Sequence, residues 1–167
     1  MVDEPQAPLD PGVEQRIADA AAHRQRIANR LGELLGADWT GIARVPEHLR
    51  AERTLEAMRA GYRFISGAQF PADPGTGRRG GVDLLVRSGD GYIPVLVVRH
   101  KITDPGRGAR MSPLTNPVPE AAQVDQTRKV RPQPRDQLRL AHAVRMLQAL
   151  GMSAGERTGG VIGVDGD

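Results

Sequence analysis

Apolar and polar positions along this chain change period several times, and each change marks an element. Between Val13 and Leu35, the residues Val13, Ile17, Ala20, Ala21, Ala28, Leu31, Leu34 and Leu35 recur at helical spacing, which predicts a helix that Gly36 stops. Val45-Pro46 opens a second helix from Glu47 to Ala60, closed by Gly61. Tyr62 to Phe70 is rich in β-formers, with Gly67 placed for a bulge, and Pro71 to Gly81 is a turn-rich loop. Val82 to Arg87 predicts a strand, Ser88-Gly89-Asp90-Gly91 a hairpin turn, and Tyr92 to Lys101 a second strand. In that second strand Val95-Leu96-Val97-Val98 is apolar on both faces, so a central, covered strand is expected.

Residues 105–134 carry many Pro and Arg and little periodicity, the signature of a long loop that is either functional or disordered. Asp136 is placed to cap a helix running to Leu150, with Leu140, Val144 and Leu147 as its apolar stripe, and Gly159 to Val164 reads as a short last strand. This order predicts an α/β fold with a mixed central sheet flanked by helices. Residues 1–12, acidic and Pro-rich, are expected to be a disordered tail, and 13–167 a single domain with a basic loop at about 105–134.

Composition removes several function classes. The chain has no Cys, which excludes disulfides, Cys-based zinc sites and an iron–sulfur cluster, and fits a reducing, cytoplasmic setting. No run approaches the ~18 apolar residues of a membrane span, so no membrane partner is expected. Aromatic residues are 3% of the chain and all lie between Trp39 and Tyr92, where the tightest packing is expected. The net charge is only +3, but between Arg99 and Arg135 eight Lys/Arg face three acids, a local charge of +5 on a body that otherwise sums to −2. Such a block suits a polyanion such as DNA; it is also what a solvated basic loop looks like.

The hairpin holds the candidate chemistry. Asp83 is an acid in an apolar strand, and Arg99-His100-Lys101 stand where the next strand runs out. Phosphodiester cleavage at neutral pH uses a hard cation, Mg2+ or Mn2+, to bind a non-bridging oxygen and to acidify a water, and such cations take oxygen ligands. Asp83 is the leading metal ligand and a candidate catalytic residue; its competing readings are an acid on an exposed edge and an ion pair with Arg99 across the hairpin. Alternation sets Asp83 with Leu85 and Arg87, and Val82 with Leu84 and Val86. Glu56 offers a second acid from the next helix, and Asp104 a third if the loop folds back. Lys101 is placed to steady developing negative charge, and Arg99, His100, Lys101, Arg128, Lys129, Arg131 and Arg135 to contact phosphates. Strand alternation sends Arg99 and Lys101 to one face and His100 to the other.

The segments AAHRQRI, TLEAMRAGYRFISGAQF, GGVDLLVRSGDGYIPVLVVRHK, DQLRLAHAVRML and GGVIGVDGD resemble the core of the PD-(D/E)XK nuclease superfamily, most closely its RecB-type branch. The resemblance implies a restriction-endonuclease-like core and a metal-dependent DNA nuclease of repair or recombination. By residue match it makes His23 and Asp83 metal ligands and Gln137 a catalytic-site residue. The family's acid-x-Lys pair falls on Leu96 and Val98, and the aromatic expected after Gln137 is absent, since 141 and 143 are Ala. Two outcomes follow: a weakened nuclease, or a nuclease fold that has lost catalysis and serves as a DNA-binding or protein-interaction module. The chain stops where longer relatives of this kind continue, so the resemblance implies a short paralogue or a truncated copy, and a protein partner or a missing C-terminal domain is expected.

Overall fold

The computed structural model of the chain describes residues 7–8, 10–77, 79–155 and 159–165. Helix α1 runs Pro11–Leu35, with the Asp10 carboxylate accepting the Gly12 amide at 2.7 Å, a cap that starts the helix before Val13. Of the expected tail, residues 1–6 and 9 lie outside the described residues, and Pro11 and Gly12 belong to α1. Gly36 ends the helix at φ 59°, the backbone region glycine adopts without strain. A short 3-10 turn, Gly36–Asp38, leads into strand β1, Trp39–Gly41, which the sequence pattern did not indicate. Helix α2 spans Glu47–Arg59, within one residue of expectation.

The central sheet is built next. Strands β2 (Phe64–Phe70), β3 (Gly80–Ser88) and β4 (Gly91–Val97) form an antiparallel meander. Helix α3, Pro134–Ala149, then leads to β9, Gly160–Ile162, which lies parallel beside β4. With β1 parallel to β2, the five-stranded order is β1-β2-β3-β4-β9, and β3 alone runs against the others. The protein is thus α/β with a mixed sheet flanked by helices. All seven residues of β4 are buried, as expected of a strand with neighbours on both edges.

One face of the sheet packs Ile65, Ala68, Phe70, Leu85 and Leu96 against Ala57 and Met58 of α2 and Ala143, Met146 and Leu147 of α3. The other packs Phe64, Leu84, Val86 and Val95 against Leu31 of α1 and against Val118. Tight packing therefore extends well past the aromatic-bearing segment into α1 and α3. Simple alternation misplaces Val82, which joins Leu85 rather than Leu84. The cause sits at Gly67, φ 67°: pairing passes from Ser66↔Leu84 to Ala68↔Val82 without a Gly67–Asp83 step, and both strands change face there.

The expected loop at 105–134 contains secondary structure. β5 (Thr103–Pro105) pairs with β8 (Arg128–Val130), and β6 (Ala109–Met111) with β7 (Gln123–Asp125). These short ladders make an arm whose tip turns back so that Val118 enters the core and Glu120 accepts the Ser88 hydroxyl at 2.7 Å. At the base of the arm, the Asp165 carboxylate receives the amides of Ile102 (3.0 Å) and Thr103 (2.8 Å) and the Thr103 hydroxyl. β4 ends four residues sooner than expected. Arg99 and His100 lie in a bend and Lys101 just beyond it, all outside β4, so strand alternation does not govern where they point. Among the described residues no helix is long and apolar enough to cross a membrane.

Candidate functional site

The carboxyl ends of β2, β4 and β9 meet at one end of the sheet, the place where open α/β sheets accept ligands. Asp83 stands there, near the start of the oppositely directed β3, with its side chain only 14% exposed. One oxygen, Oδ2, accepts the Val97 amide at 2.8 Å. Arg24 of α1 approaches the other oxygen at 3.6 Å, and Arg139 of α3 approaches Oδ2 at 3.9 Å. Burial is the largest influence on this carboxyl and raises its pKa above the ordinary value, against the Val97 hydrogen bond and the two guanidinium groups. Asp83 is thus an enclosed acid balanced by two cations from different helices. The pairing with Arg99 weighed from the sequence is not formed.

His23 reaches the same end. Its Nε2 lies 3.2 Å from the Val98 carbonyl, one residue beyond the amide that Asp83 holds. A carbonyl only accepts, so this nitrogen carries a proton and its lone pair is not free for a metal. Leu96 and Val98, to which the resemblance assigns the acid-x-Lys pair, are buried in the core with α2 and α3.

The other candidates divide. Glu56 is exposed on α2 and pairs with Arg53 at 3.6 Å; the structure does not bring it to Asp83. Asp104 accepts the Arg131 Nε at 2.9 Å, and that bond holds its pKa low, so it serves the arm rather than Asp83. Gln137 is exposed on the second turn of α3. His100 lies 2.7 Å from Asp136, which is buried on the first turn of α3 rather than capping it; Gln133 takes the cap position, with Pro134 at the first turn. Arg128 donates to the Asp165 carbonyl at 2.7 Å. Arg99, Lys101, Lys129 and Arg135 are exposed around the base of the arm. The base is closed by the Arg131 amide, which donates to the Ile102 carbonyl.

Three residues of this end escape sequence reasoning. Arg24 follows His23 on α1, and Arg139 sits one turn after Asp136; that spacing was the available signal. Asp165 closely follows the last strand, and only the fold brings it to Thr103. Burial would raise its pKa, but the Thr103 hydroxyl and the amides of Ile102 and Thr103 outweigh this and bring it down to about 2.

The Mg2+ or Mn2+ implied by the resemblance needs several oxygen donors. Asp83 supplies one carboxylate whose Oδ2 is already engaged and whose near side faces two guanidinium groups. Among the described residues, no group of three His, Asp or Glu gathers to hold a metal. As they stand, the residues around Asp83 do not fit a hard divalent cation. The chemistry they offer is cationic: an end of the sheet where Arg24 and Arg139 are partly exposed and the arm-base cations stand nearby. Comparison with known proteins finds no matching family model, no matching curated sequence and no matching solved structure.

Proposed function

We propose that this chain is a DNA-binding domain built on a nuclease-like framework in which apolar packing has replaced the catalytic acid. Support for the framework comes from order: a helix, the β2–β3–β4 meander, α3, then β9 parallel beside β4. That is the sequence of elements expected of a restriction-endonuclease-like core. Asp83 lies on the middle strand of the meander and His23 reaches the end of the next strand, so the two residues that the PD-(D/E)XK resemblance pairs as ligands lie at the same end of the sheet.

The observation that favours binding over cleavage is the burial of Leu96 and Val98 beside an Asp83 already committed to Val97, Arg24 and Arg139. In this reading Asp83 is a positioning residue. It fixes the two arginines at the sheet end and offsets their mutual repulsion. Arg99, Lys101, Lys129 and Arg135 supply phosphate contacts, which release counterions and carry no sequence information. The block from 99 to 135 has no aromatic residue, so base stacking is not its grip.

Two assays on the intact chain test this: binding of labelled single- and double-stranded DNA, and incubation of the same DNA with Mg2+ or Mn2+. Binding without cleavage supports the proposal. Cleavage that disappears in Asp83→Asn replaces it with the nuclease reading in repair or recombination. Absence of both binding and cleavage refutes it.

A further inference from the structure

On the α1 side of the sheet lies a cleft of about 950 Å3, of the size that holds a small molecule. Small residues hollow it. α1 turns Ala21, Ala28 and Gly32 toward it, and Gly41, Ala43 and Gly67 line the opposite wall. Trp39 is gripped there: a methyl group on Gly41 would come within 2.7 Å of its ring, and one on Gly32 within 3.0 Å. Its indole N–H is donated to the Ser66 hydroxyl at 2.7 Å, which fixes the ring further. An aromatic wall that is already ordered loses little freedom when a planar group lies along it.

The polar lining is cationic by one charge, with Arg24, Arg44 and Arg50 against Asp83 and Glu33. Glu33 pairs outward with Arg30 at 3.5 Å. Arg50 donates to the carbonyls of Val45 (2.8 Å) and Ala43 (3.1 Å), so it clamps the segment that carries Arg44. Arg44 is exposed, and no ion pair holds it among the described residues. The Gln25 amide N–H is donated to the Asn29 carbonyl oxygen at 2.8 Å, which leaves an acceptor on Gln25 and a donor on Asn29. Guanidinium groups, paired amides and a fixed indole are the complement of a phosphate attached to a planar, hydrogen-bonding ring.

We propose that this cleft binds a nucleotide, with its phosphate against Arg44 and Arg24 and its base along Trp39. The site shares Arg24 and Asp83 with the end of the sheet described above, but none of the exposed cations of the arm base, and it does not depend on the arm's phosphate contacts. A free nucleotide and the terminal nucleotide of a single strand share this chemistry.

Trp39 is the chain's single tryptophan, so its fluorescence reports the cleft without a label. The full chain is titrated with a nucleoside monophosphate, the matching nucleoside, inorganic phosphate, and a short single strand with a terminal phosphate. The expected result is a saturable fluorescence change with the monophosphate, competition by inorganic phosphate, and binding about tenfold weaker or worse for the nucleoside. Arg44→Gln, at an exposed position that leaves the fold intact, weakens the monophosphate by a similar factor. A variant with Arg99, Lys101, Lys129 and Arg135 changed to Ala keeps the response, which separates this site from the proposed DNA contact. Tighter binding of the single strand in that variant assigns the cleft to a strand terminus, and equal or weaker binding to a free nucleotide. No saturable change with the monophosphate, or an unchanged affinity in Arg44→Gln, overturns the proposal.

Discussion

Charge is handled differently at the Asp83 end of the sheet and on the arm. At Asp83 a carboxylate is enclosed, bonded to a buried strand amide and flanked by arginines from α1 and α3. On the arm, Asp104–Arg131 and Asp165–Thr103 tie the base together, while Arg99, Lys101, Lys129 and Arg135 remain exposed. The first arrangement commits its carboxylate inside the molecule and leaves its two arginines partly exposed, and the second leaves four cations exposed to something outside the molecule. In the sequence both looked alike, as acids and bases near one hairpin.

The largest expected effect breaks the comparison on the arm side. Changing Arg99, Lys101, Lys129 and Arg135 together to Ala lowers DNA affinity roughly a hundredfold at moderate salt, with the melting temperature unmoved. A drop in melting temperature of the size seen for a core substitution would mean that these cations hold the arm instead.

Next in size is Asp83→Ala, which leaves the Val97 amide without its acceptor. It destabilises the chain by about 1–3 kcal/mol, read from denaturant midpoints. Asp83→Asn keeps an acceptor and removes an enclosed charge, so its cost stays below about 1 kcal/mol. Equal costs for Asn and Ala would show that the negative charge, as counter-ion to Arg24 and Arg139, matters more than the hydrogen bond.

The smallest effect is the response to acid, where the two regions have opposite signs. Asp165 is held at about 2, below its ordinary 3.8, so its contribution is complete above 3.8 and disappears as pH falls through about 2. Screening at this partly open site limits it to about 1 kcal/mol. Asp83 has a raised pKa, so its contribution is present below 3.8 and is lost as pH rises through the raised value. Stability measured against pH for Asp165→Asn and Asp83→Asn should therefore diverge from the parent chain at opposite ends of the acid range.

What could be read in the sequence was local. The Ser88–Gly91 turn, the Gly36 stop and the start of β4 depend on neighbours a few residues away, and they stand where the pattern put them. β1 and the arm strands are three residues long, too short to show a period, and they exist because a partner strand arrives from elsewhere. Val98-Arg99-His100-Lys101 has strand-like composition at its start, yet the chain bends away once its pairing with the three-residue β9 ends at Val97. At the candidate site, Asp83 and His23 were legible as residue types in suggestive places. Arg24 and Arg139 were not, because what brings them to Asp83 is the packing of α1 and α3 at one end of the sheet.

The proposal that this domain grips DNA through unspent charge is tested most directly by affinity as a function of salt for the intact chain. With four arm-base contacts, the logarithm of the binding constant should fall linearly with that of salt concentration, with a slope of about −3 to −4. An affinity that stays level from low to moderate salt, or no binding at low salt, would contradict it.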